Sequence, residues 1–146
     1  MVLLENLLLG SLMISATVII HTSGLIFLTR WMSLVVRWFR LHRHNFGKTV
    51  AMVTTVLGIF FLHTIEVWAW AVTYVFIGVV RDLETAVYFS TVTFSTLGYG
   101  DVVPEVSWRV FAGLESVNGF ILIGWSTAYL VAASTRHGPF RIGEHF

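Results

Sequence analysis

Long apolar runs alternate with short polar stretches along this chain, and that pattern predicts its elements. The first run covers residues 1–29 and is broken only by Glu5, His21 and a few Ser and Thr. A helix of that length reaches about 42 Å, more than the ~30 Å hydrocarbon core of a bilayer. No basic segment precedes the run, and it is about twice as long as the apolar part of a secretory signal, so a retained membrane helix is expected. The second run, 49–80, is interrupted by His63 and Glu66, and the third, 106–133, by Arg109 and Glu115. Between them lies 81–104, too short and too rich in Thr, Ser, Gly and Asp to cross alone. It must leave the membrane on the side where it entered. The expectation is an all-α membrane protein with three transmembrane helices plus a re-entrant helix and loop.

Composition agrees. Of 146 residues, 56% are hydrophobic and only 12% charged, too little polar surface to cover a soluble domain. Aromatic residues reach 15%, with six Trp, as suits a chain that meets membrane interfaces. The net charge of +1 points to no nucleic-acid partner. With no Cys, thiolate and disulfide chemistry are excluded.

The distribution of charge orients the chain. Arg30, Arg37, Arg40, Arg43 and Lys48 lie between the first two runs, and Arg136 and Arg141 in the 134–146 tail; these are most of the nine Lys and Arg. Three spans put that loop and the tail on one side, and the positive-inside rule makes it cytoplasmic. The expected product is a multi-pass cell-membrane protein with its N-terminus outside. Within 30–48, Trp31, Leu34, Val35, Trp38 and Leu41 recur at helical spacing opposite Arg30, Arg37, Arg40 and His44. That pattern predicts a basic amphipathic helix over 31–44, lying on the inner leaflet against anionic lipid.

The candidate chemistry is in DLETAVYFSTVTFSTLGYGDVVPE, residues 82–105. Asp82 is placed to cap a helix and Glu84 adds negative charge to its first turn. Ala86 to Ser95 reads as a short amphipathic helix anchored by Tyr88 and Phe89. Gly98 and Gly100 alternate with larger residues, and glycine's extra backbone freedom lets successive carbonyls turn to one side. A row of carbonyls can replace the hydration shell of a cation. The helix aims the negative end of its dipole at the membrane centre, which favours a cation there.

Thr96-Leu97-Gly98-Tyr99-Gly100-Asp101 resembles the selectivity filter of potassium channels, within the superfamily built from two transmembrane helices and a pore loop. The resemblance covers roughly residues 50–133, leaving one extra helix in front. It implies a pore module at 49–133: outer helix 49–80, pore helix and filter 81–104, inner helix 105–133. It also implies K+ as the permeant ion, coordinated by the backbone carbonyls of Thr96, Leu97, Gly98 and Tyr99. A ring of such carbonyls needs several chains, so a four-fold symmetric homotetramer is expected. Leu97 departs from the usual Val or Ile, and the Gly-Tyr-Gly core is intact.

The resemblance assigns further roles. Tyr88 occupies the place of an aromatic that can bond the Asp following the filter, here Asp101. Val92 stands where some bacterial relatives carry a Glu. Gly119 and Gly124 fall where the inner helix commonly bends, and Phe120, Ile123 and Thr127 recur on a face suited to line a cavity. His63 and Glu66 share a helix face, and with Glu115 and His21 they are ionisable groups at membrane depth. They suit either a proton-linked role or a structural one. His21 alone reads as a packed polar contact. No HExxH and no Ser-His-Asp arrangement suggests an enzyme. The competing functions are a non-conducting regulatory subunit, a non-selective cation channel, and a proton-coupled transporter, for which no internal repeat is visible.

Overall fold

The computed structural model describes residues 2–38 and 45–137. Four α-helices order them: α1 (Val2–Trp38), α2 (Asn45–Phe76), the short α3 (Leu83–Phe94) and α4 (Arg109–His137), the last entered through a single 3-10 turn at Val106–Trp108. No strand occurs among the described residues. Three stretches are long and apolar enough to span a bilayer: Val2–Leu34, Phe46–Phe76 and Val106–Thr135.

Contacts between the helices fix their directions. Along α1 and α2 the partners run in opposite order: Met13 with Thr73, His21 with Glu66, Gly24 with Leu62 and Leu28 with Gly58. Along α1 and α4 they run in the same order: Asn6 with Ser107 and Phe111, Gly10 with Leu114, Thr17 with Asn118 and Thr29 with Tyr129. So α1 is antiparallel to α2 and parallel to α4. The end of α2 and the start of α4 therefore lie on one side, as the re-entrant reading requires. From there α3 dips between the long helices. Ser90 bonds the Val67 carbonyl at 2.9 Å and Ser116 bonds the Thr93 carbonyl at 3.1 Å, which places the end of α3 well inside the spans.

Two apolar clusters hold this arrangement. Trp70, Tyr74, Phe89, Phe94, Phe111 and Leu122 join α2, α3 and α4, with Tyr74 edge-on to Phe89 and Phe111 at centroid distances of 5.0 and 5.5 Å. Leu25, Leu28, Met32, Ala51, Ile59 and Leu62 join α1 to α2. Leucines sit over glycines, Leu62 on Gly24 and Leu28 on Gly58, so the helices approach closely where water gives no hydrophobic drive. Other large apolar side chains, such as Leu8, Leu12, Ile19 and Phe27, face outward, as a bilayer permits.

Element ends differ from the sequence pattern in both directions. The helix expected over 1–29 runs on to Trp38, beyond the apolar span that ends at Leu34, so 30–38 continues the same helix and is not a separate one lying flat. Hydropathy drops at Arg30, but Arg and Trp do not break a helix, and no Gly or Pro lies between Gly24 and Gly47. Arg40, Leu41, Arg43 and His44 lie outside the described residues, as do the side chains of Val35, Arg37 and Trp38. The second helix spans Asn45–Phe76 where 49–80 was expected, ending just before Gly78 turns left-handed at φ +75°. The inner helix continues to His137, past the expected end at 133, and 138–146 lies outside the described residues.

Candidate permeation site

Asp82 starts the site. Its extended backbone and its Oδ1, which accepts from the Thr85 N–H at 2.8 Å, cap the first turn of α3. That bond holds its carboxyl below the usual range. At the other end the chain does not simply unwind. The amides of Leu97 and Gly98 both donate to the Val92 carbonyl, at 2.9 and 3.0 Å, and the Thr96 amide donates to Thr93 at 3.0 Å. These bonds satisfy carbonyls that a helix end leaves unpaired.

They also aim the following loop. All peptide bonds among the described residues are trans, so each carbonyl points opposite to the N–H of the next residue. Because the Leu97 and Gly98 amides face back toward α3, the carbonyls of Thr96 and Leu97 point away from it. The backbone then alternates: φ is positive at Thr96 (+61°), Gly98 (+55°) and Gly100 (+80°), but not at Leu97 or Tyr99. Alternating the sign of φ undoes the usual alternation of a strand and lets successive carbonyls face one way. At Gly98 and Gly100 this carries no Cβ penalty. At Thr96 it costs about 1–2 kcal/mol, a local strain of the kind that gathers at functional sites. The side chains of Leu97 and Tyr99 stand out from the chain, 55% and 68% exposed.

Behind the loop, the Tyr88 hydroxyl donates to Asp101 Oδ2 at 2.6 Å. The bond lowers the Asp101 carboxyl below its ordinary 3.8 and raises the Tyr88 phenol above its ordinary 10.0. A lowered carboxyl stabilises the fold above its ordinary pKa, and that contribution fades only as pH falls through the folded value. A raised phenol holds its contribution until pH climbs through its folded value. The latch is thus closed across the neutral range. Tyr88→Phe is expected to return Asp101 toward the ordinary carboxylate range in a 13C NMR titration. An Asp101 titration unchanged in the variant would refute the latch.

A profile described as that of an ion channel matches residues 60–136, just over half of the chain. The chain belongs to this ion-channel family, which is built from two membrane helices around a pore loop. The match starts within α2 and takes in α3, the loop and nearly all of α4, leaving α1 as an addition. Comparison with curated proteins and with solved structures gives no match.

The channel's remaining candidate residues fall into separate places. Glu115, fully buried, meets the Tyr74 hydroxyl at Oε2 and the Ser90 hydroxyl at Oε1, both at 2.5 Å, and so joins α4 to α2 and α3. It does not meet His63 and Glu66, which pair with each other at 2.7 Å, as their spacing predicts. Gly119 is buried against the end of α3: a Cβ there would overlap the Phe94 carbonyl. The structure therefore gives Gly119 a packing reason, and α4 runs unbroken through both Gly119 and Gly124. Nothing lies within 4 Å of a Cβ at Gly124. Phe120, Ile123 and Thr127 are all exposed on this chain.

Spacing along the chain offers His21 no partner, yet its Nδ1 lies 2.8 Å from Glu66 Oε1. No spacing rule could have found this pair, 45 residues apart. Asn6 was also missed; it accepts from the Phe111 amide at 2.9 Å and donates to the Ser107 carbonyl at 2.9 Å, fastening α1 to the start of α4.

Proposed function

We propose that this ion channel is potassium-selective, with four identical chains closing a ring of backbone oxygens from Thr96, Leu97, Gly98 and Tyr99. The supporting observation is the alternation of φ over 96–100, together with the two amides turned back onto Val92. Carbonyls arranged in this way can replace the water around a dehydrated K+. The exposed Leu97 and Tyr99 gain cover when a second chain stands beside the first. The end of α3 supplies negative dipole below the ring. Phe120, Ile123 and Thr127 then line the cavity, with K+ the transported ion. The charge pattern favours the filter facing outward and the basic 30–48 stretch facing the cytoplasmic leaflet and its anionic lipids.

The test is the reversal potential of the purified protein in planar bilayers, with K+ and Na+ on opposite sides. A selective pore follows the K+ gradient by about 59 mV per tenfold, and native mass spectrometry gives four copies. Tyr99→Asp is expected to pull the reversal potential toward zero as Na+ enters. A parent channel that treats the two ions alike makes it a non-selective cation pore. A tetramer that carries no current makes it a silent subunit.

A further inference from the structure

We propose that His21, His63 and Glu66 form a binding site for a divalent transition-metal ion of the zinc type. The cluster joins two helices. His21 Nδ1 lies 2.8 Å from Glu66 Oε1, and His63 Nδ1 lies 2.7 Å from Glu66 Oε2. One ligand atom from each residue can be chosen so that all lie within 4.8 Å of one another, with His21 and Glu66 fully buried.

Two imidazoles and one carboxylate are the set with which zinc keeps a fourth, open position. Imidazole nitrogen is a poor ligand for K+ and a good one for zinc, cobalt, nickel or copper, so this site differs in kind from a ring of carbonyl oxygens. At metal–ligand distances of 2.0–2.2 Å, tetrahedral ligands stand about 3.3 Å apart. The hydrogen-bonded atoms part by roughly half an ångström, and the widest pair, up to 4.8 Å now, closes by up to about 1.5 Å to admit the ion.

Two further observations favour a ligand over a purely structural tie. His63 Nε2 is buried with no hydrogen-bond partner, so the ring can turn or change tautomer without breaking a second bond. A tie that leaves a buried nitrogen unused is incompletely satisfied. His21 Nε2 lies 3.5 Å from the Ser126 hydroxyl, placed to steady the ring from behind as outer-shell partners of metal-bound histidines do. There is also a way in. His63 is 19% exposed at its side chain and borders a cavity of about 360 Å³ between α2, α3 and α4, walled by Phe60, Thr64, Thr91, Phe94 and Ile123. The open coordination position would face it and take water or hydroxide.

The experiment uses the full chain in detergent, stripped with chelator and titrated with Co2+, then with Zn2+. The expected result is one Co2+ per chain with the intense visible bands of four-coordinate cobalt, bleached by Zn2+. His63→Gln, the least buried of the three, is expected to weaken Co2+ binding by about tenfold or more. Zn2+ is expected to raise the thermal midpoint of the parent and not of the variant. Should His63→Gln fail to fold, the parent alone decides. Absence of saturable binding at one ion per chain overturns the proposal, and so do identical bands in a folded His63→Gln. Neither readout involves ion flux, so the result is independent of selectivity.

Discussion

Glu115→Ala is expected to be the most damaging single change in the described chain. The carboxyl sits where α2, α3 and α4 meet, and its removal strands the buried Tyr74 hydroxyl and takes one of two acceptors from Ser90, which keeps the Val67 carbonyl. The stranded hydroxyl costs about 1–3 kcal/mol, and the emptied volume adds to that. A total of about 3–5 kcal/mol is a large part of the stability of an ordinary domain. The Gln variant sharpens the argument. Ser90 is within bonding distance of both Glu115 and the Val67 carbonyl, so three contacts share two hydroxyl protons. A donor at position 115 completes the set, and a Gln amide supplies one while its carbonyl accepts from Tyr74. Glu115→Gln is therefore expected to stay within about 1 kcal/mol of the parent. The measurement is the thermal midpoint of the purified protein in detergent. Equal loss in both variants would show that the hydrogen bonds are not what position 115 provides.

Gly119→Ala is expected to be nearly as severe, for a steric reason. The added methyl meets the carbonyl of Phe94, which is backbone and cannot rotate aside. Either α4 backs away from α3 or the end of α3 moves, and Phe94 is only two residues before Thr96. Overpacking typically costs about 1–3 kcal/mol, and a backbone obstacle places this site at the upper end. Function should fall further than stability, because the displaced segment carries the proposed filter loop. Gly124→Ala is the matched control: space there is open on this chain, and alanine favours a helix by up to about 1 kcal/mol over glycine. The two variants are compared by thermal midpoint and by K+ current. If both are equally stable, the contact between Gly119 and Phe94 does not hold α4 in place.

Much of this was legible in the sequence because the membrane simplifies the code. A long apolar run has few alternatives to a helix, and a polar insert between two runs must turn back. The shape of the 96–100 loop was readable in part because its left-handed positions 98 and 100 are glycines. The left-handed Thr96 was not, since a β-branched residue gives no such signal. Helix ends were misplaced wherever charge interrupted hydropathy without interrupting the backbone, as at Arg30. The polar contacts were the least legible. His63 and Glu66 are three residues apart and could be paired by helical spacing, whereas His21 with Glu66 and Asn6 with Phe111 come from helix packing, which one sequence does not encode locally.

The paired amides at Val92 make the loop's shape and the helix's end a single mechanical unit. Swinging a carbonyl of Thr96 or Leu97 off its heading requires the whole peptide plane to turn, and the amide on that plane is also a stay of α3. A flip that shuttered the pathway would therefore uncap the last turn of the helix in the same motion. Such a flip would have to wait on the fraying of a helix set inside packed protein, and the loop borrows its stiffness from α3 although its own outer face is bare.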